Sequence, residues 1–296
     1  TQTKYSEAEI HKRLDGCPKL ASLRSINNAL SELVHAEQSF TSQIAEIIRR
    51  DPTLTTRLLK LVNSVFFGLS KRVTNIEDAI FYLGLKQIRQ LALATPVIED
   101  FNRLNASCPK IDWKLLWQHS IGTAIVTREV LAVSNHSFND DTDYIVGLVH
   151  NVGQIVMAST FTDEFTQIYS TQFQTMAELV NAEREAIGWD HGQIGAYYLR
   201  KHQLSEEVVE GVAFHHNPTA APSFSHLAAA VQVADMMVRS AGITGVENVV
   251  PPDEDAWLTS GGWHALFGHD AQEAQFNEAS LRHTVARLPS MLRGLV

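Results

Sequence analysis

Apolar residues recur at three- and four-residue intervals along most of this chain, while alternating strand patterns are hard to find, so the pattern predicts helices from end to end. Ile44, Ile47 and Ile48 share one face of a segment that Ser39 or Thr41 can cap, and Pro52 ends it by forcing the preceding residue out of helical geometry. Asp51 can cap the next helix, with Pro52 at its first position, where a missing N–H costs nothing, and Leu54, Leu58, Leu61 and Val62 as its buried stripe. Asn75 opens another, with Ile76, Ala79, Ile80 and Leu83 inward and Gly84 placed to end it; Lys86 to Thr95 continues helically until Pro96.

From Lys110 to Asn217 there is no proline, and this stretch reads as the long helical centre. Asp112 can cap a helix carrying His119, and Asp140 or Asp141 can start one carrying His150 and Asn151. Asp190 with Gln193 resembles a capping box at the start of the helix of His191. Ser225 to Arg239 places Leu227, Ala228, Val231, Ala234 and Val238 on a buried stripe and holds Asp235. Gly242 to Gly262, with Pro251-Pro252 and an acidic cluster, reads as a linker or lid, and Trp263 to Val296 is expected to hold one helix ending near Arg287, with Pro289 beyond it. No repeat that would signal a solenoid is evident. The expected fold class is all-α, divided into a helical subdomain over 1–104, a larger helical unit over 105–240, and a linker or lid with a C-terminal helix over 241–296.

Composition narrows the function classes. With 45% hydrophobic and 19% charged residues over 296 positions, the chain can build a core, which excludes disorder as its dominant state. The 33 acidic and 24 basic side chains leave a formal charge of −9, which argues against general nucleic-acid binding. Cys17 and Cys108 are the only cysteines, so no disulfide framework or thiolate zinc site is suggested, and a reducing, cytoplasmic setting is expected. No apolar run approaches the roughly 18 residues that span a bilayer, and Thr1 to Glu9 lacks the hydrophobic region of a secretion signal, so no membrane association is expected. The absence of an initiator Met suggests processing or a piece cut from something longer.

Seven residues stand out chemically: His119, His150, Asn151, His191, His215, His216 and Asp235, since imidazole nitrogen and carboxylate oxygen together suit a divalent transition metal. Gly147 and Gly153 flank His150 three residues away on either side and make room for another helix or for a ligand. Each residue also has a structural reading. A histidine in an apolar helix is often a core residue bonded to a carbonyl, and Asp235 has Arg239 four positions on as an ion-pair partner. Phe66-Phe67-Gly68 reads either as core between the subdomains or as an interaction anchor.

The run Asp51-Pro52-Thr53-Leu54-Thr55-Thr56-Arg57-Leu58-Leu59-Lys60-Leu61-Val62-Asn63-Ser64-Val65-Phe66-Phe67-Gly68 resembles the most characteristic stretch of the HDOD domain, a helical relative of the HD phosphohydrolases found in bacterial signalling proteins. Ile76 to Gly84, the segment around His150, Asp190-His191 and His215-His216 follow in that family's order, and the resemblance covers roughly Leu14 to Arg239. It implies an HD-like helical bundle preceded by a helical subdomain, and a regulatory role. By position, His119 matches the first metal-binding His of the catalytic relatives, His150 the His of their His-Asp pair and Asp235 their last Asp. His191, His215 and His216 look like the further histidines of the two-metal HD-GYP phosphodiesterases.

The departure is Asn151, which stands where those enzymes have the aspartate of the pair. A neutral amide offers one oxygen and no charge, so it bridges metal ions poorly. The expectation is a degenerate site with no catalytic residues and no cofactor beyond a weakly held divalent metal. The function expected is signalling through a protein partner or a small ligand, a nucleotide among the options. A metal-dependent phosphohydrolase with an altered His-Asn site is the alternative.

Overall fold

The computed structural model describes residues 5–16, 41–49, 52–63, 69, 71–84, 88, 112–134, 136, 142–202, 204–268 and 271–292. Within them the periodic stripes become α-helices, and no β-strand is present; a lone parallel bridge joins Phe173 and Val249. The expectations placed on Ser39, Asp51, Phe66, Phe67, Gly68, Asp140, Asp141, the two cysteines and, Ile88 aside, Lys86 to Thr95 fall outside the described residues.

Ser6 caps α1 (Glu7–Asp15) by accepting the Glu9 N–H, and Ile10 and Leu14 are buried. The helices α2 (Thr41–Arg49), α3 (Pro52–Val62) and α4 (Ile76–Leu83) pack on one another through Ile44, Ile48, Leu58, Val62, Ile76 and Ala79, all buried. Thr41 is the first residue of α2, not its cap, and Pro52 opens α3 where its missing N–H goes unneeded. Asn63, just past α3, holds the chain that returns toward α4: its amide donates to the carbonyls of Leu59 (2.6 Å) and Val73 (2.7 Å), and its oxygen accepts the Val73 N–H (2.7 Å). Asn75 caps α4 by accepting the Asp78 N–H at 2.7 Å, and Gly84 ends it at a φ of 81°, which disfavours any side chain.

The larger unit is built around α5 (Trp113–Val133), whose first turn is capped by Asp112 accepting the Leu115 N–H. It continues with α6 (Thr142–Val149), α7 (Val152–Thr160), α8 (Thr162–Tyr169), α9 (Met176–Ala186), α10 (His191–Lys201), α11 (Glu206–Phe214), α12 (Ser225–Ser240), α13 (Gly261–Phe267) and α14 (Ala271–Met291). Both α6 and α12 lie against α5, while α10 is held between α7 and α11. Every residue of α6 is buried, so it must approach its neighbours closely. Gly147 permits this: a Cβ there would lie 2.7 Å from the Ala124 Cα. Gly153 does the same for α10, since its Cβ would lie 1.7 Å from the His191 carbonyl oxygen. Of the two uses open for these glycines, both make room for a helix.

Residues 242–262 pack against the bundle. Phe173 donates to the Asn248 carbonyl (2.8 Å), Val250 donates to that of Phe173 (3.0 Å), and Gly262 donates to the Gln232 side chain (2.8 Å). Trp257 is buried, edge-on to Trp263 with centroids 4.9 Å apart. The C-terminal part departs from the pattern's expectation: it carries two helices, α13 and α14, and Pro289 lies inside α14. A proline there removes one backbone bond and costs about 3 kcal/mol. Burial of Leu288 and Leu292 on either side of it, with the Leu292 N–H bonded to the Leu288 carbonyl at 2.9 Å, holds the last turn across that loss. No single helix among the described residues is long and apolar enough to cross a membrane.

Candidate metal centre

Two helices and the turn between two others deliver three donors to one point. His119 projects from α5 and Asp235 from α12. His150, expected on a helix, sits with Asn151 in the turn between α6 and α7. The His119 and His150 Nε2 atoms are 3.3 Å apart, and Asp235 Oδ1 lies 3.0 Å from the first and 3.9 Å from the second. Both rings are fully buried and Asp235 is 5% exposed, yet its Oδ1 makes no hydrogen bond: the two imidazoles face it without the geometry of donors.

The tautomers explain this. His119 Nδ1 donates to the Ile243 carbonyl at 2.8 Å and His150 Nδ1 to that of Gly147 at 2.7 Å, which leaves a lone pair on each Nε2. A Cβ on Gly245, whose φ of 73° already favours glycine, would strike the His119 ring at 2.8 Å, so residues 243–245 fix that ring from behind. Two imidazole lone pairs and a carboxylate oxygen converging in a dry interior repel one another unless a cation joins them. A tetrahedral zinc with bonds of about 2.0–2.1 Å spaces its ligands by about 3.3 Å, so these residues fit a divalent transition metal.

A second trio lies alongside, with the His150 and His215 ring centroids 5.4 Å apart. His215 donates Nδ1 to the Val212 carbonyl at 2.7 Å, and its Nε2 is buried without a partner. His191 and His216 meet Nε2 to Nε2 at 2.8 Å, with His191 opening α10 behind a complete capping box of Asp190 and Gln193. Burial opposes a charge on His191, but the Glu183 carboxylate 2.7 Å from its Nδ1 raises its pKa. Burial pushes His215 and His216 well below 6.5, and lowers His150 as well.

Of the seven residues singled out in the sequence, six fall into these two groups of three. The seventh, Asn151, is buried, and its amide oxygen is turned to the Gln154 side chain 3.5 Å away. Asp235 is not explained by Arg239 on its own helix: its close contacts are to His119 and His150, and two guanidinium nitrogens of Arg239 bond to nothing. Glu183 is the residue that sequence reasoning missed. It is fully buried and accepts from the His191 N–H (2.9 Å), His191 Nδ1 (2.7 Å) and the Tyr169 hydroxyl (2.8 Å), and no motif spacing marks it.

The HDOD domain profile matches residues 20–218 of the chain, more than half its length. The chain belongs to the HDOD family. An uncharacterised protein of Treponema pallidum (strain Nichols) is 30% identical over 247 residues; the match covers 81% of this chain and 45% of that protein, so the chain spans less than half the length of this relative. Among solved structures, an HDOD domain protein of unknown function from Geobacter sulfurreducens superposes with a TM-score of 0.69 at 19% identity, over 97% of this HDOD chain and 99% of the other. A proposed phosphohydrolase from Shewanella amazonensis SB2B gives 0.64 at 21% identity over 97% and 99%, and a proposed signal transduction protein from Marinobacter aquaeolei VT8 gives 0.61 at 18% over 90% and 58%. At these identities the likeness establishes the HD-like helical fold.

The buried imidazoles set a pH dependence. His150, His215 and His216 have folded-state pKa values below 6.5, so the unfolded chain binds protons before the native one, and their contribution to stability is present above about 6.5 and lost as pH falls through the folded values. His191, with its raised value, has the opposite sign and weakens the native state as pH rises through that value. Three groups against one predict a net loss of stability on acidification, and denaturant unfolding of chelator-treated HDOD protein at pH 7.5, 6.5 and 5.5 should show the midpoint falling. A midpoint that rises over that interval would contradict the neutral assignment.

Proposed function

We propose that this HDOD chain is a regulatory domain of bacterial signal transduction that acts by binding, in the cytoplasm, and that does not hydrolyse phosphate esters. The observation that carries the reading is Asn151. The two groups of donors lie side by side as two ion sites would, and next to His150, where the HD phosphohydrolases that the chain resembles carry an aspartate, stands an amide facing Gln154. His119, His150 and Asp235 would hold one divalent transition ion, which when bound supplies Lewis acidity. The chain's own residues do the rest: the Ile243 and Gly147 carbonyls orient the rings, and Glu183 restrains His191.

A single ion without its bridged neighbour lacks the paired clamp on attacking and leaving oxygens that phosphoryl-transfer sites use. What remains is a shaped, dry centre whose occupancy can bias the packing of α5, α6 and α12, the kind of coupling on which a partner protein or small ligand can act. The likeness to the Shewanella structure bears on fold and leaves this reading to the residues. The test is turnover by protein loaded with zinc or manganese, against phosphomonoesters, nucleotides and cyclic dinucleotides. The expected result is at most one ion per chain and no hydrolysis above buffer with the same metal; multiple turnovers on any of these esters would overturn it.

A further inference from the structure

A cavity of about 600 Å³ opens beside the second histidine trio, between α9, α12 and the segment around Pro251-Pro252. Its volume lies in the range of small-molecule sites. His215, His216, Asp235 and Arg239 line one side, and Met176, Val180, Met236 and Val250 supply apolar surface. Arg239 is the unusual member: it is 2% exposed, and its Nε and Nη2 have no hydrogen-bond partner. The other guanidinium at the wall, Arg184, is held by Asp190 with contacts of 2.8 and 2.6 Å. A buried guanidinium with idle donors is costly, and an anion presenting two oxygens to its planar fork would satisfy it.

We propose that Arg239 is the anchor of a small-ligand site in this cavity, taking an anionic head, phosphoryl or carboxylate, joined to an apolar or aromatic body that lies against Met176, Val180, Met236 and Val250. Asp235 and Asp253 also line the cavity, so a single anionic group fits it and a polyphosphate does not. The site deepens the binding role proposed above and rests on that reading for its purpose, though not for its chemistry. It places a ligand against the α12 residue that reaches the metal centre, so ligand and ion would be sensed together.

The test is calorimetric titration of the full chain with phenyl phosphate and with benzoate, inorganic phosphate serving as the head alone. One aryl anion should bind at least about tenfold more tightly than inorganic phosphate, and which of the two does so identifies the head. Arg239→Met should weaken that binding about 10- to 100-fold, the range for charge-assisted hydrogen bonds, without lowering the melting temperature, because Nε and Nη2 have no hydrogen bond to lose. Met236→Trp, which fills the apolar part and keeps the guanidinium, should weaken it as well. Binding should survive removal of metal with a chelator.

Failure of both aryl anions to bind, binding unchanged in Arg239→Met, or binding that disappears with the metal would each overturn the anchor, as would a melting temperature lowered by several degrees in Arg239→Met. Hydrolysis of phenyl phosphate with binding still dependent on Arg239 would support the anchor while sinking the non-hydrolytic reading, so the two failures are distinguishable.

Discussion

Gly153→Ala is expected to cost more than about 4 kcal/mol and to leave little folded protein at 37 °C, the tail of what single substitutions do. The reason is that all three atoms the new Cβ would meet belong to the backbone: the His191 oxygen at 1.7 Å, its carbonyl carbon at 2.6 Å and the Gly195 nitrogen at 2.8 Å. No side chain can rotate away, so α7 and α10 would have to separate, opening a contact lined by the buried residues Val152, Ile194 and Leu199. His191 would move with α10, and the second trio would lose its geometry. Gly122→Ala in α5 is the matched control, since its nearest neighbour is the Val238 side chain at 3.1 Å. Urea unfolding of the two variants should separate them by several kcal/mol; near-equal stabilities would mean that the α7–α10 contact is looser than described.

The second large effect belongs to Glu183. Its carboxylate is the sole acceptor seen for two His191 donors and the Tyr169 hydroxyl, and burial, with the facing carboxylate, keeps that phenol's pKa well above 10. Glu183→Ala should therefore destabilise by about 3–5 kcal/mol, the cost of stripping one partner from a buried charged pair. Glu183→Gln should cost much less, about 1–2 kcal/mol, because the amide oxygen can still accept from His191 and its NH₂ can donate to Tyr169. The same change removes the charge that raises the His191 pKa, so NMR titration of the imidazole should show it falling. Equal destabilisation by the two variants would show that packing alone, and no donor network, is at stake.

Much of this was legible in the sequence because it is local. Asn75 and the Asp190-Gln193 pair announce helix starts by side chains that satisfy N–H groups three residues away, and both do so in the structure. The stripe of α12 marks its buried face and places Asp235 on it. What the sequence could not show is which helices face each other. The i,i+4 rule assigned Arg239 to Asp235 because it sees one helix, whereas Asp235 meets His119 from α5 and His150 from the α6–α7 turn. Glu183 was invisible for the same reason: its partners Tyr169 and His191 lie on α8 and α10, at separations with no periodic meaning. Pro289 misled because the local penalty of proline was outweighed by the burial of Leu288 and Leu292.

On the function proposed above, the neutral amide at position 151 limits this centre to one ion and withholds hydrolysis. The most direct test is to measure metal content by mass spectrometry, with phosphomonoester turnover alongside, for the wild-type protein and Asn151→Asp, each stripped and reloaded with zinc or manganese. The wild type should hold no more than one ion and turn nothing over, while the restored carboxylate should tighten metal binding by about tenfold or more and raise the stoichiometry toward two. Two tightly held ions in the wild type, or identical metal binding in both proteins, would contradict the account.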